Sequence, residues 1–183
     1  MKIYTRTGDD GYTGRRGGQR LRKSDPRMGA QGELDELNSM LGWCACQARG
    51  DQAELASRLE AIQAELLGLG AMVAAAGTDR QVPDRPDNSD IERLELWIDQ
   101  AWQQCQPLEH FILPGGVELA CRLHVTRAVC RRAERAMVAA AEPEPRISAV
   151  IFQYLNRLGD LLFAWARLAN HLAGQGETQW PSS

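Results

Sequence analysis

The chain has 183 residues, with 21 Lys and Arg against 24 Asp and Glu, for a formal charge of −3. That length fits one domain of ordinary size, and an apolar share of 44% supports a packed core and is too high for a disordered chain. No apolar run reaches the roughly 18 residues a spanning helix needs, and the opening MKIYTRTGDDG lacks the apolar centre of a secretory signal, so the expectation is a cytoplasmic protein without a membrane segment.

The charge is unevenly spread. Residues 1–27 hold eight basic residues and three acids, a net of +5, which leaves −8 for the remainder. Only Lys2 and Lys23 are lysines; the other 19 cations are arginines. A basic arm on an acidic body points to an anionic ligand near the arm. The same balance argues against nucleic acid, as does the lack of a stacking platform. Cys44, Cys46, Cys105, Cys121 and Cys130 form no C-x-x-C pair, and His110, His124 and His171 form no H-x-x-x-H. Reduced thiols within helices, packing histidines and no structural zinc site are expected.

Residues 1–26 read as an irregular arm punctuated by Gly8, Gly11, Gly14, Gly17, Gly18 and Pro26. A helix over 32–48 follows, with Leu34, Leu37, Leu41 and Ala45 on one face. A second, over 53–76, carries Leu55, Leu59, Ile62, Leu66, Leu69 and Val73. Residues 77–89 are a polar loop, and Ser89 with Glu92 gives a capping box for a helix over 90–105 that buries Ile91, Leu94, Ile98 and Trp102. Pro107 and Pro114-Gly115-Gly116 mark a second loop over 106–116 before a long helix over 117–141. Prolines within 142–146 break it, and a last helix over 146–173 ends at Gly174 and Gly176. The sum is an all-α, up-down five-helix bundle over 27–173 with no convincing strand pair, an arm at 1–26 and a frayed tail at 174–183.

Several groups carry chemistry. The arm mixes glycine N–H groups, Thr and Ser hydroxyls, Arg and Lys, a composition able to wrap a polyphosphate or to remain a solvated tail. It is not a Walker A loop, because Arg22 stands where the second glycine belongs. Arg127, Arg131 and Glu134 share one helix face, with Arg135 beside them and Arg132 one step off. That stripe is either solvated or the lining of a cleft or subunit contact. Asp35 and Glu36 suit either an early helix turn or a carboxylate that orients an arginine. Asn156, four residues before Asp160, holds a ligand or bridges helices. Phe111 is a core anchor or a wall for a large flat ligand.

Six segments occur in order: T-R-T-G-D-x-G at 5–11, G-G-x-R-x-x-K at 17–23, D-E-L-N-S at 35–39, F-I-L-P-G-G at 111–116, V-C-R-R-A-E-R at 129–135 and Y-L-N-R-L at 154–158. As a set, from residue 3 to about 170, they resemble the ATP:cob(I)alamin adenosyltransferases of the propanediol-utilisation type. The resemblance implies a five-helix bundle that assembles as a homotrimer with active sites between subunits. It implies transfer of the 5′-deoxyadenosyl group of ATP, with Mg²⁺, to the cobalt of a reduced corrinoid (cobalamin), releasing triphosphate. Thr5, Arg6, Thr7, Gly8 and Lys23 would then wrap the triphosphate. Arg127 and Arg131 would sit at the nucleotide, Asp35 would pair with Arg127 across the interface, and Glu134 and Asn156 would belong to the ATP site. Phe111 would press on the lower face of the corrin and exclude the lower axial ligand. No metal ligand among the protein side chains is implied. A corrinoid reductase and an adenosylcobalamin-dependent mutase or dehydratase are the implied partners. Two stretches depart from the pattern: Gly14-Arg15-Arg16 replaces S-L-F, and Gln31 replaces a tyrosine. The alternative to an enzyme is a bundle that binds ATP and corrinoid and delivers adenosylcobalamin without turnover.

Overall fold

A computed structural model describes residues 2–14, 20–75, 86–142 and 149–181. Arg15, Arg16, the Gly17-Gly18 pair, most of the 77–89 loop and the proline break at 143–146 fall outside the described residues. Five helices carry the fold: α1 (Pro26–Ala48), α2 (Ala53–Ala75), α3 (Asn88–Gln104), α4 (Glu118–Ala141) and α5 (Ala149–Leu172).

Helix α1 starts six residues earlier than its apolar spacing suggests. Asp25 caps it, accepting from the Arg27 N–H at 3.0 Å, and Pro26 occupies the first turn. A proline there loses no helical hydrogen bond and arrives with helical φ. The cap of α3 also differs from expectation. Asp87, not Ser89, accepts from the N–H groups of Ser89 and Asp90, and Asp90 rather than Glu92 returns the bond to the Asp87 N–H at 3.0 Å. Asp90 is fully buried and can close the box because a short carboxylate reaches the cap without leaving the core.

Helix α1 packs between α2 and α4, α4 also packs on α5, and α5 on α3. Leu34, Leu37, Leu41, Leu59, Ile62, Leu66, Leu94, Leu123, Met137, Leu155, Leu158 and Leu162 make one continuous core. The side between α2 and α3 closes with charge. Arg93 bridges Asp90 at 2.8 Å and Glu65 at 2.6 Å, and the buried Tyr154 hydroxyl donates to Glu65 at 2.6 Å. Trp102, expected in the core, is 40% exposed, because its ring covers the buried Arg167 guanidinium at 4.6 Å instead of entering the core.

Two further expectations are corrected. The arm contains a small antiparallel ribbon, β1 (Tyr12–Gly14) against β2 (Arg20–Arg22), with Thr13 opposite Leu21. Strands of three residues carry too little periodicity to be read from sequence. The described part of the tail, 174–181, is held rather than frayed. Leu113 N–H donates to the Thr178 carbonyl at 2.8 Å, Trp180 N–H to the Phe111 carbonyl at 2.7 Å, and Arg167 pairs with Glu177.

Candidate active site

The arm folds back on itself. Gly11 sits at φ +81°, a left-handed turn that favours glycine, and the Lys23 N–H donates to its carbonyl at 2.9 Å. That closure brings the Lys23 ammonium over Gly8, where a Cβ would lie 3.3 Å from Nζ. Thr5 and Thr7 share a hydroxyl–hydroxyl hydrogen bond of 2.9 Å. Arg20 braces the loop from behind, donating to the Thr7 carbonyl at 2.6 Å and to Asp10 at 2.8 Å, which holds the Asp10 carboxyl below its usual range. Arg6 adopts φ +60°, a strained conformation for a side-chain-bearing residue. Such strain is retained mainly where a site requires it. The structure therefore gathers Thr5, Arg6, Thr7, Gly8 and Lys23 into one exposed, cationic, hydroxyl-lined loop.

A second cluster spans α4 and α5. Arg131, Glu134 and Arg135 border a shallow cleft of about 280 Å³ with Val138. Across it, the Asn156 amide donates to Glu134 at 3.3 Å. Asn156 is exposed, so it is not a buried bridge of the kind its apolar neighbours suggest. Arg131 lies close to α5 because Gly159 faces it: a Cβ at 159 would touch the Arg131 stem at 3.9 Å. One turn earlier, Arg127 sits over the Phe163 ring at 5.4 Å. His124 touches the same ring, and burial pushes its pKa down, so it packs there as a neutral group.

Asp35 is exposed on α1 and, among the described residues, forms no ion pair with Arg127 of the same chain. The α1 carboxylates that do pair with α4 are Glu33, bound to Arg132 at 2.6 Å, and Glu36, bound to the same guanidinium. Phe111 stands 78% exposed in the loop before α4, edge-on to Trp180 at 6.3 Å. Leu108, Glu109, His110, Phe111 and Trp180 enclose a concavity of about 470 Å³. A larger hollow of about 590 Å³, lined by Leu55, Arg58, Trp97 and Trp165, contains none of the motif residues, and Arg58 and Arg93 stack on Trp97 there. Cationic and hydroxyl groups suited to an anion converge at the arm loop and the α4–α5 cluster rather than at the larger hollow.

Three side chains next to these clusters were not singled out by sequence reading. Phe163 shares the helix face of Asn156 at i, i+7, a spacing that was available. Arg20 lies inside the G-G-x-R-x-x-K segment, where its role as a brace needs the ribbon to be seen. Trp180 falls in the tail, where nothing in the local pattern announces docking.

Residues 3–169 match the family model described as cobalamin adenosyltransferase. The chain belongs to the cobalamin adenosyltransferase family. It is 44% identical over 176 residues to the corrinoid adenosyltransferase PduO of Salmonella typhimurium, covering 96% of this chain and 52% of that protein. The chain thus spans about half the length of the first such relatives. It is 39% identical to the corrinoid adenosyltransferase of Bacillus subtilis, over all of this chain and 94% of that one. Among solved structures, a variant of the PduO-type ATP:corrinoid adenosyltransferase from Lactobacillus reuteri, complexed with cobalamin and ATP, superposes with a TM-score of 0.93 at 38% identity. That match covers 99% of this chain and all of the other. The five-helix architecture is therefore shared with adenosyltransferase-family members along nearly the whole chain.

Proposed function

We propose that this chain transfers the 5′-deoxyadenosyl group of ATP to the cobalt of a reduced corrinoid, with triphosphate as the leaving group. The observation that carries the reading is the arm loop, where Lys23 folds over Gly8 beside the Thr5 and Thr7 hydroxyls. Such a loop offers a triphosphate point charge, hydroxyl donors and backbone N–H groups together. Arg127, Arg131, Glu134 and Asn156 supply the other half of the nucleotide site.

The electron pair of Co(I) attacks C5′, the Co–C bond forms and the C5′–O bond breaks. The triphosphate leaves with the bonding pair, and cobalt becomes formally Co(III). Co(I) is strongly nucleophilic, so no protein base is required. The protein's work is to align C5′ with cobalt and to stabilise charge on the leaving group. Lys23, Arg6, Arg127 and Arg131 do the second. Mg²⁺ would arrive with the nucleotide and neutralise part of the triphosphate charge. Exposed Phe111 is suited to cover the lower face of the corrin, displacing the axial ligand and easing reduction to Co(I).

The working form in this reading is a homotrimer in the cytoplasm. Asp35 and Arg127 do not pair within one chain, and a pairing across a subunit seam would complete the site. A corrinoid reductase upstream and an adenosylcobalamin-dependent mutase or dehydratase downstream are the partners that this chemistry implies.

The test mixes purified protein, ATP, Mg²⁺ and chemically reduced cob(I)alamin under strict anaerobiosis. The expected result is the absorbance change of Co–C bond formation with release of triphosphate. Tight ATP binding without alkylation would overturn the enzyme reading in favour of a delivery protein.

A further inference from the structure

The last turns of α5 hold two polar side chains that are almost completely buried, Arg167 and Asn170, each 2% exposed. They are three residues apart and so share one face. Between them they grip both ends of the loop that presents Phe111. Arg167 Nη2 donates to the Gln106 carbonyl at 2.7 Å, where the loop begins. Asn170 Nδ2 donates to the Gly115 carbonyl at 3.0 Å, and its Oδ1 accepts from the Val117 N–H at 2.9 Å, where the loop ends.

Val117 is the N-cap residue of α4 and supplies no side-chain cap of its own. Asn170, from a different helix, satisfies that orphan donor. The fit is close: Gly116 lies at φ +112°, and a Cβ on it would fall 1.9 Å from Asn170 Oδ1. Arg167 also binds Glu177 through Nε at 2.8 Å and Nη2 at 3.0 Å. This pulls in the strap whose Trp180 N–H donates to the Phe111 carbonyl. An aromatic ring that is 78% exposed gains little orientation from its own packing. Its direction is set by the backbone beneath it.

We infer that Asn170 and Arg167 are positioning residues that fix the 106–117 loop at both ends and thereby aim Phe111. The inference rests on the proposed role of Phe111 against the corrin.

The test uses Asn170→Ala, with Phe111→Ala in parallel, each with its ATP affinity measured by calorimetry. In Asn170→Ala the Val117 amide should exchange with deuterium about tenfold faster, while amides in the middle of α4 keep their protection. Cob(II)alamin with ATP should give less of the four-coordinate cobalt resonance than in the parent. Turnover from cob(II)alamin and reduced flavin should fall about fivefold more than turnover from pre-reduced cob(I)alamin, the penalty of a misplaced group. ATP affinity should stay within about twofold, because the nucleotide clusters lie elsewhere. Unchanged Val117 exchange, or an equal fall in both turnover assays, would overturn the inference. If Phe111→Ala itself leaves the four-coordinate signal intact, the reading of Phe111 falls, and the aiming role falls with it; the Val117 exchange result tells the two failures apart. Should Asn170→Ala not fold, Asn170→Asp keeps the acceptor for Val117 and loses the donor to Gly115. Val117 exchange should then stay near the parent's, while the cobalt resonance and the cob(II)alamin turnover fall in the same direction by a smaller factor; no change in either would overturn the inference.

Discussion

At the scale of single residues, the candidate site separates groups that act from groups that only fold. Arg131 is exposed, and its guanidinium contributes nothing to the core. Replacing it with alanine should leave the helical circular dichroism signal and Tm close to the parent's. Turnover with pre-reduced cob(I)alamin should fall about 100-fold or more, the usual cost of removing one donor to developing charge. A comparable loss of thermal stability would mark Arg131 as structural. Helical spacing put Arg131 and Glu134 on one face, but it left that stripe, Asn156 and the arm with Lys23 open between solvent or packing and a ligand; only the order of the six motifs, through the family resemblance, pointed to a site. It did not reveal Asn170 or Arg20. Their roles depend on contacts 53 and 13 residues away along the chain, and no local pattern encodes such distances.

At the scale of elements, four of the helix spans were legible from apolar periodicity to within a few residues, and α1 was short at its start. The errors fell at termini, where a cap is chosen among neighbouring Asp and Ser side chains. They also fell in the ribbon and the strap, whose hydrogen bonds are made with distant backbone. The junction of α2, α3 and α5 carries a pH signature. Burial raises the Glu65 carboxyl above its usual range, against the opposing pull of the Tyr154 hydroxyl and Arg93. A carboxyl whose folded-state pKa is raised binds more protons in the folded than in the unfolded chain across that window. Its stabilising contribution is complete below the unfolded value near 4.5 and is lost as pH rises through the higher folded value. The stability of the parent relative to Glu65→Gln should therefore decline as pH rises from 4 towards neutrality, measured by urea unfolding at each pH. A difference that is flat or grows with pH would refute the assignment.

At the scale of the whole molecule, the ribbon strands pair chiefly with one another, while Asp35 and Arg127 stay apart within one chain. If the site is shared between subunits, two different inactive chains can complement each other. Asp35→Ala damages the α1 side and Arg131→Ala the α4 side. Refolded together in equal amounts, they should recover about one quarter of parental activity, the share of interfaces that join an intact α1 to an intact α4. A site built within one chain would recover nothing. Sedimentation of the parent at three times the chain mass is the matching physical measurement.

Gly159 has a wider consequence. By leaving the wall of α5 bare, it sets how high the Arg131 charge rides above the protein surface. An alanine there would only touch the arginine stem. A longer side chain would lift the charge outward, as a spacer lifts a lever. The reach of the cation is thus tuned from the opposite helix, by the size of a residue that carries no side chain of its own. Variants at position 159 would offer a graded series of site depths on an unchanged set of charges.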